Sequence, residues 1–279
     1  MLTRSAVRAR GLFVSRLQNS IGRHPAAKTA ARSFSSPPDR ENSSRFKRAY
    51  NLVTELWNRS HPRLPVLQEW QEKGVFIDSL SATGQVWLFL HLHLPKKTTV
   101  DLVEFTEGAR IATEANLRAM NSAAFPEFLA GKKNSSSDVA DRLQQYTTPA
   151  YYNQMALRVK KNYLQRNFYV ECEELIVEKA QLAGVGYRRL TEKQYEDLVA
   201  FKKPPAKRFS DATIEHLQLY LDVSTVEVLN VVRLDGKTNY VQNENVYRVV
   251  FESRVTDPEE VDWRIENMFI IEQKAVQRP

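Results

Sequence analysis

The stretch at residues 246–273 constrains the fold most, because apolar and polar residues alternate along both of its halves. A period of two is typical of a β-strand with one buried and one solvated face. A polar break around Pro258 separates the halves, which predicts an antiparallel hairpin. A sheet with one apolar face needs a cover, which the preceding chain must supply. The apolar face is expected to carry Tyr247, Val249, Phe251, Val255, Trp263, Ile265, Phe269 and Ile271.

Apolar residues at helical spacing upstream predict that cover. Thr98 and Asp101 resemble a capping box, which would open a long helix. Thr148 followed by Pro149 predicts an N-cap with proline at the first helical position. Helices are predicted over residues 45–59, 66–73, 98–122, 125–129, 139–146, 149–163 and, in a later insertion, 191–201.

The remaining strands are predicted from runs rich in β-branched and aromatic residues. Gly184 and Gly186 are expected to end the first of them, and Asp222 to join the next two. Helices followed by strands predict an α+β fold, with helices packed on a curved, mostly antiparallel sheet of four to five strands. Besides the hairpin, the predicted strands cover residues 168–183, 214–221 and 225–234.

The apolar run at residues 86–94 allows two interpretations. A short buried strand is favoured, and it would place His91 and His93 on one face. The alternative is a segment that dips into a membrane or binds a partner, with Lys96 and Lys97 at lipid headgroups. The run is too short to cross a bilayer, so no transmembrane span is expected.

The net charge of +7 comes from the N-terminal leader. Residues 1–34 contain seven arginines and lysines and no acid, so the remaining 33 Lys and Arg balance the 33 Asp and Glu. A leader that is rich in Arg and Ser, acid-free and amphipathic predicts a mitochondrial transit peptide, cleaved near Phe34 or Ser35. The alternative is a basic tail that binds RNA or lipid.

The composition divides the chain into three predicted parts. Residues 1–34 form the transit peptide, and residues 35–98 form an extension with a Ser/Pro-rich linker, an amphipathic helix and the short apolar strand. Residues 99–279 form the main domain, with an insertion at 184–210. A single cysteine, Cys172, excludes an internal disulfide framework.

Three parts of the main domain form a recognisable set: Phe-Thr-Glu-Gly-Ala-Arg-Ile-Ala at residues 105–112, the stretch 143–152 with its Thr-Pro helix start, and Asp-Trp-Arg-Ile-Glu-Asn at residues 262–267. Together they resemble the Tim-forty-four-like family. The family includes the motor anchor of the mitochondrial inner-membrane translocase, a large-subunit mitoribosomal protein and ribosome receptors. The resemblance implies an NTF2-like cone attached to the matrix face of the inner membrane, with no catalytic residues.

The expected function is therefore non-enzymatic. The resemblance implies a component or receptor of the large mitoribosomal subunit that links translation to the inner membrane, in the mitochondrial matrix. The alternative is an accessory subunit of the import motor or of a respiratory complex. No nucleotide loop, nucleophile elbow or spaced metal cluster is present in the sequence, so no cofactor or metal is expected. An enzyme pocket with Glu173, Glu174 and His216 is a weaker hypothesis.

Local basic clusters are the candidate binding residues, because lysine and arginine can contact rRNA phosphates or anionic lipid headgroups. Two of the clusters lie in two different predicted helices, 45–59 and 149–163, and the third lies in a proline-containing loop within the insertion. Solvated surface is the alternative for each. The candidates are Arg45, Lys47, Arg48, Lys160, Lys161, Lys202, Lys203, Lys207 and Arg208.

Overall fold

The structure is a computed structural model that describes residues 51, 54–132, 136–200 and 212–275. Residues 54–60 are helical and lead into a 3-10 turn at His61–Arg63. Helices then precede the sheet, apart from one that follows the first strand. In chain order the elements are α1 (Leu64–Glu72), α2 (Ala82–Leu92), α3 (Leu102–Met120), α4 (Ala124–Leu129), α5 (Asp138–Tyr146), α6 (Pro149–Gln165), β1 (Phe168–Leu190), α7 (Glu192–Val199), β2 (Ile214–Arg233), β3 (Thr238–Arg254) and β4 (Arg264–Ala275).

The four strands form one antiparallel sheet in the order β1-β2-β3-β4, which is not closed. Leu221 of β2, for example, lies opposite Leu182 of β1 and Val249 of β3. The α+β prediction and the predicted four to five antiparallel strands are therefore confirmed. Within the described residues, no helix is long and apolar enough to cross a membrane.

The inner face of the sheet is the one that the helices cover. Alternate residues of β2, from Leu217 to Val223, have no exposed surface, as a period of two requires. The helices supply equally buried side chains, among them Phe89 of α2 and Leu117 of α3. Tyr247, Val249, Phe251 and Val255 belong to the same core, which confirms the predicted apolar face of β3.

The predicted start of α3 is wrong by one turn. Asp101, and not Thr98, is the N-cap residue, and its carboxylate accepts hydrogen bonds from the backbone N–H groups of Val103 and Glu104. The Thr98 hydroxyl instead donates to the carbonyl oxygen of Val255, at 2.8 Å. The Thr98 side chain, which the sequence pattern predicted to cap the helix, therefore makes a tertiary hydrogen bond instead.

The predicted junction between two strands at Asp222 is also wrong, because β2 runs through it without a break. The Asp222 carboxylate accepts two hydrogen bonds from the Arg248 guanidinium of β3, at 2.8 and 2.9 Å. A bidentate ion pair on the outer face satisfies the acid, so it does not interrupt the strand.

The predicted end of β1 at Gly184 is wrong as well, because the strand continues to Leu190 and pairs with the first part of β2. A Cβ at Gly184 would lie 3.4 Å from the Tyr220 ring, and one at Gly186 would lie 3.2 Å from the amide oxygen of Gln218. Gly186 therefore leaves room for the Gln218 side chain, whereas a Cβ at Gly184 would make an ordinary van der Waals contact with Tyr220. Residues 184–190 thus belong to the sheet, although the predicted insertion included them.

The predicted strand at 86–94 is wrong, because these residues fall mostly in helix α2. The Ser81 hydroxyl caps it by accepting from the N–H of Gly84, and Phe89 packs against Trp70 with ring centroids 5.7 Å apart. In the helix, His91 and His93 do not share a face. Their Nδ1 atoms donate to the carbonyl oxygens four residues earlier, each at 2.8 Å. A short apolar run fits helix and strand equally well by periodicity.

The final hairpin is confirmed, and Ile265 is buried as predicted, but the predicted inner face is wrong in the rest of β4. Register shifts leave an extra residue in β4, at Glu266 and again at Ile271. Such bulges reverse the alternation, so Met268 is buried whereas Phe269 and Ile271 are exposed. Trp263 precedes the strand and is half-buried.

Candidate anion-binding face of helix α6

Helix α6 is fixed to the fold at its start and along one face. Thr148 is the N-cap, its hydroxyl accepting from the N–H of Tyr151 at 3.3 Å, and Pro149 takes the first turn as predicted. Tyr151, Met155 and Tyr163 are buried. Burial raises the pKa of the Tyr151 hydroxyl, so the phenol stays protonated and neutral.

The opposite face of α6 carries the predicted binding residues Lys160 and Lys161, and both are exposed. Arg158 and Arg166 are exposed on the same helix or at its end. Within the described part of the chain, none of the four forms an ion pair. Helix α6 itself contains no acidic residue, so this face has a net positive charge.

Two large apolar side chains interrupt the charged surface. Leu157 is 71% exposed and Leu164 is 53% exposed, and the helical repeat places them beside Lys160 and Lys161. Two exposed leucines are not unusual on a solvated surface, but here they add apolar area to the charged surface. We call this set of residues (Leu157, Arg158, Lys160, Lys161 and Leu164) the basic face.

The position of the cations along α6 also matters. Arg166 is the C-cap residue of α6, where the helix dipole is negative and stabilises positive charge, whereas Lys160 and Lys161 lie just before the last turn. Nearby, the Lys132 ammonium contacts the Glu127 carboxylate at 2.7 Å and lies 5.4 Å from the centre of the Tyr163 ring. The basic face can therefore present cations to phosphate groups.

The remaining predicted binding residues form two further basic clusters. Both clusters lie outside the described residues, so their predicted roles remain predictions. These clusters are Arg45, Lys47 and Arg48, and Lys202, Lys203, Lys207 and Arg208.

The three residues of the enzyme hypothesis do not form a pocket. His216 is fully buried on the outer face of β2, and its Nε2 lies 2.6 Å from a carboxylate oxygen of Glu252. Glu173 and Glu174 are exposed near the other end of β1, where Glu174 lies opposite Val228. Within the described residues, no group of three or more His, Cys, Asp or Glu side chains could hold a metal ion.

The sequence also indicated that the two leucines of the basic face would be exposed, but the predicted binding residues did not include them. Leu157 and Leu164 fall outside the stripe of buried residues in α6, so their positions predict exposure. Arg158 was missed because it is not part of a basic pair. No protein-family model and no curated protein matches this chain.

Proposed function

We propose that this chain is a non-enzymatic mitochondrial adapter that binds the large mitoribosomal subunit at the matrix face of the inner membrane. The observation that carries the proposal is the basic face of α6, with exposed cations that have no acidic partner in the described residues. The mitochondrial location rests on the acid-free, arginine-rich leader, and the ribosomal partner rests on the family resemblance.

The chemistry of the basic face favours the phosphate backbone of rRNA as its ligand. Lysine ammonium groups act as point charges towards phosphates, and their binding releases counterions from the RNA. Arg158 adds a planar group with several donors, although one of its nitrogens now lies 3.6 Å from the Met120 sulfur. Leu157 and Leu164 lie beside the lysines and would be partly covered by the same contact.

The first experiment measures the binding of the full chain to large-subunit rRNA over a series of salt concentrations. The variant carries Lys160→Glu and Lys161→Glu. We expect weaker binding and a salt-dependence slope that is smaller by about two, because each phosphate contact adds about one unit to it. The matched control carries Lys193→Glu and Lys237→Glu, which reverse two exposed charges elsewhere in the chain.

An equal loss of binding in both variants would show that only the net charge matters, and would contradict a specific role for α6. The second experiment is the sedimentation of a mitochondrial lysate at low salt. The adapter is expected to move with the large subunit. If it stays at the top of the gradient while the subunit moves down, the ribosomal proposal is wrong. Crosslinks to translocase or respiratory subunits alone would support the alternative partner instead.

A further inference from the structure

A second surface feature lies away from the basic face. It is a cleft of about 600 Å³ between the first half of α3 and the segment that connects β3 to β4. Pockets of 300–1,000 Å³ commonly hold small ligands. Residues from α3 form one side, Phe251 and Trp263 form another, and Lys97 to Asp101 form the rim.

The side of the cleft formed by α3 is open because its residues are small. Gly108, Ala109 and Ala112 line it. Gly108 has an ordinary helical conformation, and a Cβ placed on it would find no atom within 4 Å. Glycine in a helix interior costs about 1 kcal/mol relative to alanine. Alanine would fit at position 108 and would stabilise the helix, so helix stability does not explain the glycine, which leaves the cleft wider.

Three aromatic rings line the cleft at steep angles to one another. The ring of Phe105 meets that of Trp263 at a centroid distance of 4.8 Å and an angle of 64°. It meets that of Phe251 at 5.5 Å and 83°. Phe251 is buried, so the aromatic surface that a ligand could reach belongs mainly to the half-buried rings of Phe105 and Trp263, and a cation near their faces would be attracted by them.

The charged side chains at the rim of the cleft favour a positively charged ligand. Lys97 is paired with Asp257, so its charge is already compensated. The Asp101 carboxylate accepts from the N–H groups that begin α3. Glu104 is exposed and has no ion pair within the described residues. The lining of the cleft thus has one more carboxylate than ammonium groups, and the aromatic rings add their negative faces.

We propose that this cleft binds a small organic cation of the quaternary or alkylated ammonium class. The alkyl groups contact Phe105, Trp263 and the surface around Gly108, and the charge lies near Glu104. This inference is independent of the proposed ribosomal function, because it involves neither α6 nor RNA. The shared chemistry is a trialkylammonium group, which occurs both in free choline-like molecules and in the headgroup of phosphatidylcholine.

The binding experiment uses the full chain and two matched probes. The probes are choline and its neutral isostere, in which a quaternary carbon replaces the nitrogen. We expect choline to quench or shift the part of the tryptophan fluorescence that Trp263 contributes, one of four tryptophans in the chain. Choline should bind at least about tenfold more tightly than the isostere, since the cation–π attraction acts on the charge alone. Equal binding of the two probes would overturn the cation site, because shape and apolar area alone would then explain it.

Variants at Gly108 test the location without disturbing the core. Gly108→Leu places a side chain in the cleft and is expected to abolish choline binding, whereas Gly108→Ala is expected to leave it within about twofold. Both variants should fold, because they raise helix propensity at an exposed position. Choline affinity that is unchanged in Gly108→Leu would contradict binding in this cleft.

Two further arms identify the charge and the source. Glu104→Gln is expected to weaken choline binding about threefold, the size of an exposed ion pair. Vesicles of phosphatidylcholine distinguish a lipid headgroup from a free cation. Binding of choline without binding of the vesicles assigns the site to the free cation, and competition between the two assigns it to the headgroup. Binding of neither probe overturns the proposal, while the rRNA experiment stands unaffected.

Discussion

The inner face of β2 differs sharply between its two ends. At one end, Leu217, Leu219 and Leu221 are fully buried against the helices. At the other end, Thr225 and Glu227 take the same inward positions and are equally hidden from solvent. The period of two continues unchanged from one end to the other, so backbone geometry does not explain the difference. The chain places a polar cluster inside its own core.

The polar end is only partly satisfied. The Glu227 carboxylate accepts hydrogen bonds from the Thr225 hydroxyl at 2.8 Å and from the Tyr247 hydroxyl at 3.1 Å. Within the described residues, the side-chain oxygens of Asn116 and Asn245 are buried without a hydrogen-bond partner. A buried polar atom without a partner costs roughly 1–3 kcal/mol. The apolar end must therefore supply the stability that the polar end lacks.

Truncation at the apolar end has the largest expected effect. Leu219→Ala should lower the free energy of unfolding by about 2–5 kcal/mol, because it loses buried surface and leaves a cavity between β2 and the helices. Urea unfolding of the full chain measures the change. Ile176→Ala, at a position on β1 that is 49% exposed, is the matched control and should cost far less. Equal losses at both positions would contradict the assignment of the core.

Much of this fold could be predicted because the local signals agree with the tertiary structure. The hairpin of β3 and β4, the cap at Thr148 and the short helices at 124–129 and 138–146 all follow from periodicity and capping residues. The failures occur where a distant partner decides the local structure. The Arg248 guanidinium keeps Asp222 inside a strand, and the close Gln218 side chain favours the glycine at position 186.

At the polar end, Tyr247→Phe should have an intermediate effect. The change removes one of the two hydroxyl donors of Glu227 and leaves a buried carboxylate with Thr225 alone. We expect the free energy of unfolding to fall by about 1–3 kcal/mol. Burial and the nearby Glu227 charge raise the pKa of Tyr247, so the hydroxyl is a proton donor at any ordinary pH.

Tyr146→Phe is the control for that experiment, since Tyr146 is 40% exposed and its hydroxyl is accessible to water. It should change the unfolding free energy by less than about 0.5 kcal/mol. A Tyr247→Phe protein as stable as the unaltered chain would show that the hydroxyl of Tyr247 adds nothing to the polar cluster. The two ends of β2 would then differ in amino-acid composition but not in their contribution to the free energy of unfolding.

The candidate site was less predictable than the fold. Lys160 and Lys161 could be placed on the exposed side of α6 because the buried stripe of that helix was visible in the sequence. The aromatic cleft could not be predicted, since Phe105 and Trp263 are distant in sequence and meet only through the packing of α3 on the hairpin. Composition shows which residues carry charge, but it does not show which of them a neighbour neutralises.

The smallest expected effect concerns the outer face, where Glu266 accepts a hydrogen bond from the Gln218 amide. Burial raises the pKa of Glu266 above its ordinary value of 4.5. The folded chain therefore binds this proton more tightly than the unfolded chain, and the free energy of unfolding falls as pH rises from 4.5 through the folded pKa. Glu266→Gln should stabilise the protein slightly at neutral pH and have no effect below pH 4.5, where the carboxyl is protonated in both states.

Urea unfolding of the Glu266→Gln variant at several pH values tests the sign of this effect. Glu272→Gln is the control on the same strand, because that carboxylate is exposed and its replacement should change stability little at any pH. A loss of stability in Glu266→Gln at neutral pH would mean that the ionised carboxylate is favoured in the fold, by the Gln218 amide and the nearby His216 and Arg188. The outer face would then stabilise a partly buried carboxylate with one amide donor, whereas the inner polar end uses two hydroxyl donors for Glu227.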